Sequence, residues 1–126
     1  MQTYKHVFKC LFKMMTIKKQ SSTRRLIPEE LVPQLADLFS LMGDTSRLRI
    51  ILSCLHEPIS VSDIANQLEL SQSLVSHHLR LLKAARMVRP ERRGKQVFYV
   101  AADHHVQCVI EDMAAHVSEP HSVEDE

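Results

Sequence analysis

The sequence predicts a mainly α-helical chain with one small β-hairpin, and three observations predict it. From Pro28 to Arg86 the apolar residues recur at helical intervals, interrupted by residues that cap helices or break them. Two of these helical segments are short and joined by only three residues, the spacing of a helix-turn-helix. Immediately afterwards, "MVRPERRGKQVFYV" alternates around a glycine, the pattern of two strands and a tight turn. A hairpin directly after a helix-turn-helix is a wing, so the class is a winged helix-turn-helix.

Each element has its own justification. Residues 1–25 carry seven Lys/Arg and no acid, and their apolar pieces are broken by Lys5, Lys9 and Lys13. That excludes the core of a signal peptide and leaves a basic N-terminal arm. "PEELVPQLADLFSLMG" has Pro and acids at its start, Leu31, Leu35, Leu38 and Leu41/Met42 at helical spacing, and Gly43 at its end. "DTSRLRIILSCLHEP" is capped by Asp44 or Thr45 and stopped by Pro58, with Leu48, Ile51, Leu52 and Leu55 expected inside. Cys54 reads as a small buried hydrophobe. "SVSDIANQL" is capped by Ser60 or Ser62 and buries Ile64, Ala65 and Leu68. After the turn "ELS", Ser71 caps "QSLVSHHLRLLKAAR", whose inner stripe is Leu74, Val75, Leu79 and Leu82. A last helix spans 103–117. The expected organisation is an arm at 1–25, one domain at 26–119 and an acidic tail at 120–126.

A net charge of +1 conceals segregation: residues 26–70 sum to −5, 71–98 to +6 and 99–126 to −7. The basic block coincides with the second helix of the helix-turn-helix and the hairpin, where a duplex would lie. Gln72, Ser73, Ser76 and His77 are left on the outer face of that helix and can reach base edges or phosphates. Arg80, Arg92, Arg93 and Lys95 suit phosphate contacts. His78, one step inward, is expected to be packed. Double-stranded DNA is therefore the expected partner. No apolar run approaches the roughly 18 residues of a membrane span, and three scattered cysteines argue against a disulfide framework and for a reducing cytoplasm.

The stretches "GDTSRLRIIL", "VSDIANQLELSQSLVSHHLRLLKAARMV" and "RRGKQVFYV" resemble the core motifs of the ArsR/SmtB family of winged-helix, metal-responsive repressors, over roughly residues 30–120. The resemblance implies a cytoplasmic homodimer that binds an operator with dyad symmetry and leaves it when an inducer binds.

"DHHVQCVIEDMAAHVSE" raises the question of the inducer. Asp103 and His105 open it; His116 and Glu119 close it. Eleven residues of α-helix rise about 16 Å, so His105 and His116 of one straight helix cannot share an ion whose bonds are about 2 Å long. Yet eleven steps of about 100° return to within about 20° of the same face. Two copies packed antiparallel about a two-fold axis would bring the opening pair of one chain to the closing pair of the other, forming two identical four-ligand sites. Val106, Val109, Ile110, Met113 and Val117 run beside that face as an apolar dimer seam.

The family's C-terminal-helix metal sites are arranged in this way, and the four residues stand in its D-x-H and H-x-x-E/H positions. Two carboxylates and two imidazoles suit Zn(II) as inducer. His121, in the tail, would add a ligand and favour Ni(II) or Co(II). The family's other site uses a CxC-type pair where this chain has Ser60 and Ser62, which do not suit soft ions. A nickel- or cobalt-responsive repressor and a regulator with a merely structural metal are the alternatives. A hydrolytic zinc enzyme, the reading of a different class, would need three protein ligands and an open water position, and the fourth ligand and the lack of a nucleophile motif speak against it.

Overall fold

A computed structural model describes residues 27–120. The basic arm with Cys10, and His121 in the tail, lie outside the described residues. The described part falls into two compact units, Ile27–Val106 and the stretch from Gln107 onward.

The first unit opens on a 3-10 turn, Glu29–Leu31, leading into α1, Val32–Met42, which ends at Gly43. Asp44 then caps α2, Thr45–Ser53, its Oδ1 accepting from the Arg47 N–H at 2.9 Å. That bond satisfies one of the unpaired donors of the first turn. It also holds the Asp44 carboxyl below the usual carboxylate range. The helix stops at Ser53, earlier than Pro58 alone would require.

Beyond it comes a two-residue strand, β1 (Ile59–Ser60), too short to be expected from any alternation. The helix-turn-helix follows: α3, Val61–Leu68, and α4, Gln72–Ala84. Ser60 caps α3 by accepting from the Asp63 N–H, and Ser71 caps α4 by accepting from the Leu74 N–H at 3.1 Å. The turn between them is made by Glu69, in the left-handed region at φ 56°. The second non-glycine in that region, Arg86 at φ 59°, closes α4. There the Met87 N–H donates to the Leu82 carbonyl and the Arg86 N–H to that of Lys83, the two bonds of a Schellman cap.

The wing is β2, Val88–Arg93, and β3, Gln96–Ala101, joined at Gly94 and Lys95. Gly94 takes φ 63°, as a two-residue hairpin turn requires at its first position. With β1 the strands form an antiparallel sheet in the order β1-β3-β2. Register places Glu91 opposite Phe98, Arg92 opposite Val97 and Arg93 opposite Gln96. The sheet is tied to the helices by the Ala101 N–H donating to the Cys54 carbonyl at 2.9 Å.

The core is Ile50, Ile51, Cys54, Ile64, Val75, Leu79, Leu82 and Val88. Three residues expected inside are exposed instead: Leu48, Leu52 and Leu74. On α2 the buried face is centred on Ile50, Ile51 and Cys54, rotated away from Leu48 and Leu52. On α4 the place expected for Leu74 falls to His78. Burial pushes the Cys54 thiol up to about 12, so at neutral pH it stays protonated and unreactive. Cys108 is disulfide-bonded, which the scattered cysteine count did not foretell.

The last helix, α5, spans His104–Ser118. Among the described residues no helix is long and apolar enough to cross a membrane.

Candidate nucleic-acid interface and metal residues

The outer face of α4 carries the candidate DNA-contacting residues. Val75, His78, Leu79 and Leu82 face the core, which turns Gln72, Ser73, His77 and Arg80 to solvent and leaves Ser76 half-buried. Arg92, Arg93 and Lys95 are exposed on the wing. The strand pleat separates the first two: Arg92 shares its face with Val97, and Arg93 lies on the other face with Glu91 and Phe98. One wing guanidinium that the sequence reading passed over, Arg89, stands on the face of Glu91 and Arg93. Its signal was the i, i+2, i+4 spacing of Arg89, Glu91 and Arg93 on a strand.

His78 is packed, as expected, at 8% exposure. Its ring lies 5.7 Å from that of His77, and its Nδ1 is buried without a hydrogen-bond partner. Burial lowers its pKa from 6.5, an effect that the nearby Asp44 carboxylate opposes and Arg47 and His77 reinforce. The unfolded chain therefore takes up a proton near pH 6.5 that the folded chain takes up only at lower pH. Stability should fall as pH drops below that value and should not depend on this group above it. His78→Gln is expected to flatten the acid limb of a urea-midpoint profile between pH 5 and 7.5; an unchanged slope would contradict this assignment.

The metal-competent residues occur as two pairs. At the start of α5 the Asp103 Oδ1 accepts from the Val106 N–H at 3.1 Å, so this carboxylate is also the helix cap. The same oxygen lies 3.6 Å from the His105 Nδ1, and both side chains are exposed. They stand on the rim of an open cleft of about 650 Å³ that Lys83, Arg86, Arg89 and Leu38 also line. At the other end His116 is exposed in the last turn and Glu119 is exposed just past it. Among the described residues, no three His, Cys, Asp or Glu of one chain come together to hold an ion. His104 is exposed. Asp112, not singled out from sequence, has a buried Oδ1 without a hydrogen-bond partner.

Of the residues read as a seam, Val109, Met113 and Val117 are exposed, the last two at 54% and 79%. They follow one another at four-residue steps along the helix. Val106 is half-buried and Ile110 buried within its own chain.

Residues 44–89, from the cap of α2 to the first strand of the wing, match the model of a family described as bacterial regulatory protein, arsR family. A transcriptional repressor SmtB homolog of Synechocystis sp. is 38% identical over 68% of this chain and 65% of its own length. A cadmium resistance transcriptional regulatory protein CadC homolog of Staphylococcus aureus is 37% identical over 70% of this chain and 74% of its own. The chain belongs to the ArsR/SmtB family of winged-helix, metal-responsive transcriptional repressors.

The fold agrees with that membership. HlyU from Vibrio cholerae superposes with a TM-score of 0.67 at 28% identity, covering 73% of this chain and all of its own. The family is one of DNA-binding regulators, and α4 with the wing is the candidate surface for that contact. This member departs from the CxC pattern on α3. Ser60 spends its hydroxyl on the helix cap and lies 3.2 Å from the Ser62 hydroxyl, a pair of hard, neutral oxygens where thiolates would bind a soft ion.

Proposed function

We propose that this ArsR/SmtB protein is a zinc-responsive repressor of the cytoplasm. It binds a dyad operator as a homodimer, and Zn(II) held between the C-terminal helices of two protomers releases it. The observation that carries the reading is the distribution of donors on α5: an exposed carboxylate–imidazole pair, Asp103 and His105, 3.6 Å apart at one end, and His116 with Glu119 exposed at the other. Each pair is half of a four-ligand zinc set, and helix rise keeps the two halves of one chain about 16 Å apart. Asp103 and His105 of one protomer with the partner's His116 and the partner's Glu119 would complete it. The ladder of Val109, Met113 and Val117 offers the apolar contact such pairing needs.

On the DNA side, Gln72, Ser73, Ser76 and His77 would meet base edges in the major groove, and Arg80, Arg92, Arg93 and Lys95 the phosphates. Zn(II), when bound, supplies a cross-link of fixed geometry between protomers. The chain's own part is to hold the donors. The Asp103 cap bond fixes one carboxylate oxygen and would leave the other for the metal.

A cobalt(II) titration separates this reading from a nickel- or cobalt-type sensor. Four-coordinate cobalt gives strong visible absorption, and two equivalents per dimer are expected to produce it. Weak, six-coordinate absorption would overturn the zinc assignment.

A further inference from the structure

We propose that Glu91 is a specificity-determining residue of the wing: it ties Arg89 and Arg93 together on one face, so that the two guanidiniums serve a correctly placed duplex and discriminate against any other.

Three observations on the wing support the assignment. The Glu91 carboxylate accepts from Arg89 Nη1 at 2.8 Å through one oxygen and from Arg93 Nη2 at 3.4 Å through the other. The strand register sets Phe98 directly opposite Glu91, and the Arg93 guanidinium lies over that ring, 5.3 Å from its centroid. Glu91 is also the single acid between residues 71 and 98, a stretch that otherwise carries seven Lys/Arg. A carboxylate in the middle of a phosphate-seeking surface works against affinity for every duplex, so its position between two arginines calls for a different use.

The chemistry supplies one. A guanidinium has five N–H donors in a rigid plane, enough to keep a carboxylate and still grip a phosphate, provided the phosphate arrives in that plane. Where α4 has found its bases, the duplex is fixed in register and the phosphates can meet both arginines as Glu91 holds them. On unrelated DNA the register drifts. Each arginine must then leave Glu91 to follow a phosphate, and the freed carboxylate faces the polyanion alone. Exposed ion pairs are individually weak, but here their loss and the repulsion add, and only on the wrong DNA.

The proposal rests on the DNA-binding surface and is independent of the metal reading. The test uses the full chain without metal and two duplexes, an operator selected from a random pool and a scrambled control, titrated from 0.1 to 0.4 M salt. Glu91→Gln removes the charge. It is expected to tighten binding to the scrambled duplex about fivefold to tenfold, with a salt slope steeper by about one per protomer engaged, while changing operator binding less than about twofold. Glu91→Asp keeps the charge but is one methylene too short to span both arginines. It should lose discrimination with its salt slope unchanged. Equal gains on both duplexes for Glu91→Gln, or full discrimination in Glu91→Asp, would show charge alone at work and overturn the proposal. A loss on both duplexes with a lowered Tm would overturn it too, by making Glu91 a stabiliser of the hairpin. Failure of the unmodified chain to bind either duplex would instead overturn the DNA-binding reading beneath it.

Discussion

His105→Ala and His116→Ala are each expected to abolish tight zinc binding, and a mixed dimer of the two variants to regain one intact site. The reason is geometric. Each proposed site takes Asp103 and His105 from one protomer and the partner's His116 and the partner's Glu119 from the other. Each single variant therefore damages both sites of its own dimer. In the mixed dimer the two lesions fall together in one site, and the other site keeps four native ligands. Losing an imidazole from a four-ligand set leaves an open position and should lower affinity by orders of magnitude, not by a small factor. Zinc competition against a chromophoric chelator reads the outcome: two equivalents for the native dimer, none for either variant, one for the isolated mixed dimer. A mixed dimer without a tight site would refute the shared geometry.

Arg92→Ala combined with Arg93→Ala is expected to weaken binding to every duplex, by at least about tenfold on the operator at 0.15 M salt, and to flatten the dependence of log K on log salt. A dimer loses four guanidiniums in this variant. If each holds a phosphate, the slope falls by up to about four. The two arginines lie on opposite faces of β2, so the single variants need not contribute equally. Arg93, paired with Glu91 and lying over Phe98, is already ordered before DNA arrives. By contrast, Ser76→Ala or His77→Ala should alter the choice between operator variants and leave the slope nearly unchanged. Native binding by the double wing variant would contradict docking through the wing.

Much of the fold was legible because its punctuation is local. Asp44, Ser60 and Ser71 each cap the helix that follows them; Ser71 could be read outright from its place before an apolar run, and Asp44 and Ser60 each as one of two candidates. Gly94 marked the hairpin for the same kind of reason. What periodicity could not supply is the angular centre of a buried stripe. Leu48, Leu52 and Leu74 satisfy helical spacing as well as Ile50, Ile51 and Val75 do, and only packing against the other elements decides which set is covered. The two-residue strand Ile59–Ser60 is too short to leave a pattern and exists because β3 offers it an edge. At the candidate sites, residue types could be read but double duties could not: Asp103 is a helix cap as well as a proposed ligand. The Arg89–Glu91–Arg93 spacing stood in the sequence, but the placing of Phe98 opposite Glu91 came only with the strand register.

The central claim joins two surfaces, α4 with the wing and the ends of α5, through a metal. Operator affinity of the native dimer, measured by fluorescence anisotropy at fixed salt with zinc and with a chelator, tests it most directly. The account predicts tight binding in chelator and a loss of about a hundredfold with two equivalents of zinc, a coupling of about 3 kcal/mol. It also predicts that His105→Ala and His116→Ala bind the operator tightly under both conditions. Equal operator affinity with and without zinc in the native protein, with both sites shown to be filled, would contradict it and leave the metal a structural role.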